Sequence, residues 1–505
     1  MNRRNFLKLA STGVLASTIP ASVNFAANNK KPNIIIIYHD DLNRNYVGFC
    51  GSKIPTPHMD RIAKEGAILD RFYITSPVCT PSRYSLLTGK YAGKCPALEK
   101  DQPKGSNARI SWNTDFLPGE VSVAHALKDA GYTTGLTGKW HLGKPEEDLV
   151  KIDKNAAADD PKNNKLMKSN YQVCQKYVKE TSGFDYVESL YISNIPSIMP
   201  TSMKYHNMEW ITQGALNFID ENRDKPFFLY MSTTLPHGPH PITDSIKGDP
   251  RITPAGMLEK APNVQPSRQS VVDRMKKHHL WNIQSGGIWA DDAVGAVLEK
   301  LDKLKLANDT VIIVTSDHQA DGKYTCYEGA RVPCAIRWPG MIKPESKCDK
   351  LLANIDLAPT FLDIAKAKTP SGMDFDGSSF VPLMNNKNIK LRDSLLLEIA
   401  YAKAVVTDRW KYIAVRFPDK ISKDITPENR KEYAQDGKRK KPSYKADKLY
   451  PAYYDDDQLY DLKADPKEQN NLAQNPQYKS KLLELKKLLK EHLKDRKHSF
   501  GEFTG

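Results

Sequence analysis

The chain has 505 residues, enough for two domains and a sizeable core. With 40% hydrophobic and 27% charged residues, it has the make-up of a soluble globular protein rather than a disordered or membrane-embedded chain. Its formal charge of +14, from 74 basic and 60 acidic residues, suits an acidic polymer, an anionic surface or nucleic acid as partner, or else a solvated lysine-rich surface.

The first residues read as an export signal, expected over 1–27, followed by a domain over 28–394 and a smaller one over 395–505. Arg3-Arg4 before Phe6-Leu7-Lys8 resembles the twin-arginine signal of bacteria, with Asn2 where serine is more usual; a Sec signal is the alternative. Cleavage is expected between Ala21 and Ala27, giving an exported, periplasmic or secreted protein. The apolar part is too short and too rich in Ser and Thr to span a membrane, and no other window looks like a span.

Next comes "NIIIIYHDD", in which Ile34 to Ile37 read as a strand buried on both faces. "TPHMDRIAKEGAILDRFY" reads as a short helix and a return strand. Cys79 sits at the mouth of a helix. A helix is expected over about Ser122 to Ala130, stopped by Gly131, with a strand over about Tyr132 to Thr137. Lysine- and asparagine-rich residues 144–205 read as an insertion or long loop region. Further helix-then-strand units end in strands near Phe227 to Ser232 and Thr310 to Thr315. The alternation predicts an α/β fold with a large, mainly parallel sheet sandwiched by helices. From about residue 395, antiparallel strands follow, then a polar loop in "RKEYAQDGKRKKPSYKADK", then an amphipathic helix with Leu482, Leu485, Leu489 and Leu493 on one side. The basic run from Lys438 to Lys441 is placed to touch a polyanion or simply to be solvated.

Seven cysteines, at 50, 79, 95, 174, 326, 334 and 348, form no CxxC pair, which argues against zinc-ribbon and thioredoxin patterns. Export permits disulfides, and the odd count leaves one thiol unpaired, with Cys79 as candidate.

In an open α/β sheet, ligands gather beyond the carboxyl ends of the strands. Asp40-Asp41 and Asp317-His318 both fall at such ends. Either pair alone reads as a cap or a surface charge; together they suit a divalent cation that prefers oxygen, calcium or magnesium. Lys139, His141, His237, His240 and Lys323 fall in similar positions. Gathered round a metal, they describe a cationic pocket for a tetrahedral oxyanion, and sulfate and phosphate esters both fit.

Cys79-Thr80-Pro81-Ser82-Arg83, followed by "LLTGKYAGK", resembles the C-x-P-S-R signature of type I sulfatases, within the alkaline-phosphatase-like superfamily. The four fixed positions alone would recur by chance in about one such chain in a thousand. "GKWHLG", "KPFFLYMSTTLPH", "SDHQADGKYTCYEGARVPCAIRWPG", "LLANIDLAPTFLDIA" and "QLYDLKADPKEQNNLA" resemble further segments of the family, so the likeness runs over nearly the whole chain. It implies that a sulfatase-maturating enzyme oxidises Cys79 to formylglycine (3-oxoalanine). It implies Asp40, Asp41, Asp317, His318 and the modified Cys79 as ligands of calcium, magnesium being the alternative. Arg83 would hold the hydrated aldehyde, Lys139 and Lys323 the sulfate oxygens, His141 would orient the hydrate and His237 would protonate the leaving alcohol; His240 would join the substrate contacts. A hydroxyl of the hydrate would be the nucleophile. Three positions depart from the family pattern: Asn43, Gln319 and Ala330 stand where glycine is frequent.

The expected activity is hydrolysis of sulfate esters, with a sulfated carbohydrate or polysaccharide as substrate. The alternatives are a phosphomonoester, phosphodiester or phosphonate hydrolase of the same superfamily, and an inactive binder of acidic glycans. No nucleic-acid-binding module is visible.

Overall fold

A computed structural model describes residues 31–384, 389–439 and 442–504. The expected export signal and Lys440–Lys441 of the basic run lie outside the described residues. The main sheet has eight strands: Asn33–Asp40 (β1), Ala67–Leu69 (β2), Thr133–Lys139 (β3), Tyr186–Tyr191 (β4), Phe227–Pro236 (β5), Thr310–Ser316 (β6), Cys334–Arg337 (β7) and Ser346–Cys348 (β8). Their order across the sheet is β8-β2-β7-β6-β1-β5-β3-β4. Every pairing is parallel except those of β7, which runs antiparallel to β6 and β2.

The reason lies in β1. Its eight residues are all buried. Ile34, Ile36 and Tyr38 join one apolar core, and Ile35 and Ile37 the other. A strand with no polar face needs cover on both sides, and helical crossovers between parallel strands provide it. Each isoleucine so covered stabilises the fold by roughly 1.5–3 kcal/mol. The principal helices of this part are Pro57–Lys64 (α1), Cys79–Thr88 (α2), Val123–Asp129 (α3), Pro161–Ser182 (α4), Met208–Glu221 (α5), Asn282–Lys303 (α6) and Leu357–Ala365 (α7). Apolar residues of α2, α3 and α7 pack in the first core, and those of α1, α5 and α6 in the second.

Residues 144–205 are not the loop region their composition suggests. They contain α4, 22 residues long, and β4, the edge strand of the sheet. Pro161 opens α4 at a position where its missing N–H costs nothing, and the Asp160 side chain caps the Asn163 amide. Only a thin set of residues in α4, such as Met167, Cys174 and Val178, is buried, so its apolar stripe is diluted below recognition.

The second sheet is antiparallel throughout: Leu395–Ile399 (β9), Ala402–Val406 (β10), Trp410–Val415 (β11) and Asp457–Asp461 (β12), in that spatial order. Helix Lys479–Leu493 (α8) buries Leu485, Leu489 and Leu493 against the core, with Leu482 partly covered. The polar stretch before β12 is less loop-like than its sequence: Tyr433, Ala434, Gln435 and Asp436 are buried, and Gln435 is fixed by bonds to Tyr453. All seven cysteines are free thiols. No helix among the described residues is long and apolar enough to cross a membrane.

Candidate active site

Strands β1 and β6 are adjacent and parallel, so their carboxyl ends come together. This brings Asp40 and Asp41 from one to Asp317 and His318 from the other. The Asp41 amide donates to Asp317 Oδ1 at 3.2 Å, and the Asp317 amide to the His39 carbonyl at 2.9 Å. Asp41 takes a left-handed backbone, φ 68°, which turns the chain sharply past the strand end.

Cys79 begins α2, on the face of the sheet towards these carboxylates. Helix α2 is wholly buried and is tied down by Tyr38 Oη to Ser82 Oγ (2.6 Å) and Asn354 Nδ2 to the Ser82 carbonyl (3.0 Å). Its first amides have no side-chain cap, so its positive end is directed at whatever sits beside Cys79. Cys79 Sγ lies 3.5 Å from Asp40 Oδ1 and 3.3 Å from His318 Nε2, and is within electrostatic reach of His141. The ligand atoms of Asp40, Cys79, Asp317 and His318 all lie within 4.8 Å of one another, in complete burial. A second set of the same reach joins Asp40, Asp41 and His237.

Five cationic or imidazole groups close the cluster. Arg83 Nη2 donates to Asp317 Oδ2 at 2.8 Å and lies 3.7 Å from Asp40 Oδ2; its Nη1 donates to Tyr230, Ser232 and the Lys139 carbonyl. Lys139 Nζ lies 2.5 Å from Asp40 Oδ2 and 2.6 Å from Asn194 Oδ1. Lys323 Nζ lies 3.0 Å from Asp41 Oδ1. His237 Nδ1 bonds the Gly238 carbonyl at 2.8 Å, leaving Nε2 3.8 Å from Asp41 Oδ2. His141 is also in the cluster, in a left-handed backbone (φ 59°), with its Nδ1 buried and unpartnered among the described residues. His240, by contrast, is exposed on the loop after His237.

The electrostatics follow from this crowding. Burial raises the Asp41 carboxyl, but Lys323, His237 and His318 outweigh it and hold it well below the carboxylate range. Asp40 is also held low, through Lys139, His237 and Arg83 against burial and Cys79. Asp317 is pushed up to about 7, by burial and by Asp40 beside it. Burial raises the Cys79 thiol too, yet Lys139, Lys323 and His318 hold it well below its ordinary value. Two carboxylates pressed together, a histidine and a low-dielectric wall form a donor set that fits a hard divalent cation, which would relieve the repulsion that lifts Asp317.

Every residue singled out from the sequence except His240 therefore enters one buried cluster. Three participants were missed. Asn194 lies in the stretch taken for a loop, and no motif marks it. Tyr230 and Ser232 alternate on one face of β5; two polar groups at a spacing of two in an otherwise apolar strand are the signal that they face something charged. The departures from glycine also have reasons. Asn43 has φ −73°, a conformation that does not need glycine, and its Oδ1 accepts from the Asp321 amide. Gln319 Oε1 accepts from the Arg44 amide at 2.9 Å while its Nε2 donates to the Arg331 carbonyl at 2.6 Å, so it stitches together the loops after β1 and β6.

A family model described as "Sulfatase" matches residues 32–367, and one for the C-terminal part of N-sulphoglucosamine sulphohydrolase matches residues 318–423. The chain is 27% identical over 471 residues to an ulvan-active sulfatase of Formosa agariphila, covering 90% of this chain and 78% of that one. It is 26% identical over 539 residues to an N-acetylgalactosamine-6-O-sulfatase of Bacteroides thetaiotaomicron, covering 91% and 93%. Among solved structures, a protein from work on glycosaminoglycan metabolism by Bacteroides thetaiotaomicron superposes with a TM-score of 0.63 at 24% identity, covering 92% of this chain and 99% of that one.

Proposed function

The chain belongs to the sulfatase family and is a sulfuric ester hydrolase; from that premise we propose that it removes O-sulfate groups from a sulfated carbohydrate, using a formylglycine made from Cys79 and a bound calcium. The observation that carries this reading is the position of Cys79 Sγ, within 3.5 Å of both Asp40 and His318 and under the electrostatic influence of Lys139 and Lys323. Asp40, Asp317 and His318 would hold the calcium, with Asp41 alongside and the modified residue 79 completing the set. The ion would supply positive charge against the negative charge of the sulfate ester, and formylglycine would supply a hydroxyl nucleophile with a second hydroxyl for release of sulfate.

The remaining work falls to side chains. A sulfate ester is anionic and repels an anionic nucleophile. Lys139 and Lys323 bind sulfate oxygens and offset that repulsion. Arg83, buried and rigidly bonded, fixes the reacting group, and His141 orients it. His237 donates the proton to the leaving alcohol from Nε2, because its Nδ1 is already engaged with the Gly238 carbonyl. Burial lowers its basicity, but Asp40 and Asp41 more than compensate, so the ring is charged more readily than an ordinary histidine. A general acid so placed contributes about 10²–10⁴-fold. His240, at the mouth, contacts the substrate. Because Cys79 is wholly buried, the maturating enzyme acts on it before folding is complete, and the leader expected at the N-terminus then carries the protein out of the cytoplasm.

The test is sulfate release, read by ion chromatography, from carrageenan, ulvan, fucoidan and glycosaminoglycans, together with rates on 4-nitrophenyl sulfate and 4-nitrophenyl phosphate. The expected result is glycan desulfation, a preference for the sulfate over the phosphate ester, and no turnover by Cys79→Ala. Faster phosphate hydrolysis, or a fully active Cys79→Ala, would overturn the reading.

A further inference from the structure

One aromatic ring covers Lys323, and a stacked aromatic pair begins at the next residue of the chain. The Tyr444 ring centroid lies 5.1 Å from the Lys323 ammonium, and 44% of the residue is exposed. The Tyr444 phenol is also within electrostatic reach of Cys79, Asp41 and Asp40, so it stands over the cluster. Tyr324, next in the chain to Lys323, is buried and stacks on Trp112 with centroids 5.1 Å apart and planes 14° apart. Its ring is held by a 2.9 Å bond between its hydroxyl and Ser111 Oγ, and its amide donates to the Pro77 carbonyl at 2.9 Å. Trp112, seated on this fixed ring, is 37% exposed.

Single exposed aromatics need no explanation, but one seated over a buried cation of the reaction centre, with a second stacked on the residue next to that cation in the chain, does. Their backbone adds to the case. Tyr324, Tyr444 and Lys445 have φ values of 65°, 57° and 55°, in the left-handed region that side chains other than glycine rarely adopt. Strain of this kind clusters where a side chain has to be held in one place for a ligand.

We propose that Tyr444 and Trp112 form an aromatic platform that binds the pyranose ring next to the scissile sulfate, and so select a glycan over a small sulfate ester. A pyranose presents a face of C–H bonds carrying slight positive charge, which suits the negative face of an aromatic ring, while its hydroxyls stay in water. The Lys323 ammonium under Tyr444 holds the sulfate end of the same sugar, and exposed Lys445 adds positive charge beside it for a polyanionic chain.

This inference rests on the sulfatase reading, and its test separates the two. The oligosaccharide that the native enzyme desulfates fastest in the screen above is the probe. Tyr444→Ala, Trp112→Ala and Tyr444→Phe are compared for kcat and KM on that probe and for inhibition by inorganic sulfate, which needs the cationic cluster but no platform. The alanine variants are expected to raise KM about five-fold or more, the loss of one stacked ring. Their kcat and their Ki for sulfate stay native, and Tyr444→Phe keeps the native KM. An unchanged KM in both alanine variants, or a rise in sulfate Ki that matches the rise in KM, would overturn the platform. Failure of the native enzyme to release sulfate from any glycan would instead remove the glycan-sulfatase reading, and would be seen before any variant is made.

Discussion

A guanidinium without access to water has to find its whole charge balance in neighbouring side chains. Arg83 is in that position: it faces Asp317 at 2.8 Å and Asp40 at 3.7 Å, with Tyr230, Ser232 and the Lys139 carbonyl as its other acceptors. Removing it leaves two buried carboxylates facing each other, so Arg83→Ala is expected to lose about 3–5 kcal/mol of stability. Arg83→Lys keeps the charge but not the planar fork, and cannot serve both sides at once. Urea unfolding should place the lysine variant between alanine and native, while its kcat/KM on 4-nitrophenyl sulfate falls at least about 100-fold, the cost of losing one preorganised transition-state contact. A lysine variant with native kinetics would show that Arg83 is only structural. The acidic ligand candidates were legible in the sequence because carboxylates at the ends of apolar strands have a topological meaning. Arg83 was legible only by resemblance. Asn194 was not legible at all, because its partner Lys139 is 55 residues away and neither residue announces the other.

At the scale of elements, what was legible depended on how strongly each one declared its period. The strand β1 and helix α8 were readable because four isoleucines and four spaced leucines leave little choice. Helix α4 was not, because its mostly polar surface hides the few residues it buries. Helix α8 also carries a titration. His492 is pushed down to about 4, by burial and then by Arg496 and Arg392, and its Nε2 meets Ser394 Oγ at 2.9 Å, just before β9. The fold therefore prefers the neutral ring. Above the unfolded value near 6.5 both states are neutral and nothing is lost; as pH falls from there towards 4, the unfolded chain takes the proton and the folded one does not. The loss at pH 4 amounts to at most about 3 kcal/mol. A neutral replacement, His492→Gln, is expected to flatten the fall in unfolding free energy between pH 6.5 and 4 while lowering stability at pH 7. An unchanged slope in that window would place the acid sensitivity elsewhere.

At the scale of the whole molecule, the mixed sheet serves one purpose for the site. It sets two parallel strand ends side by side, lays α2 across them, and leaves Cys79 with no exposed surface. The sequence made the sheet and the acidic part of the cluster readable together, since both follow from what stands at the ends of apolar runs. It did not make the proposed aromatic platform readable, because Trp112 stacks on Tyr324 and Tyr444 covers Lys323 across long stretches of chain. The proposed activity depends on a chemical change at Cys79, deep in this structure. Mass spectrometry of the peptide spanning Cys79, taken from protein made with a maturating enzyme, tests it most directly. Conversion of the thiol to formylglycine predicts a peptide lighter by about 18 Da, the mark of an activated nucleophile at that position. A peptide carrying only unmodified cysteine, from protein that still hydrolyses sulfate esters at full rate, would contradict it.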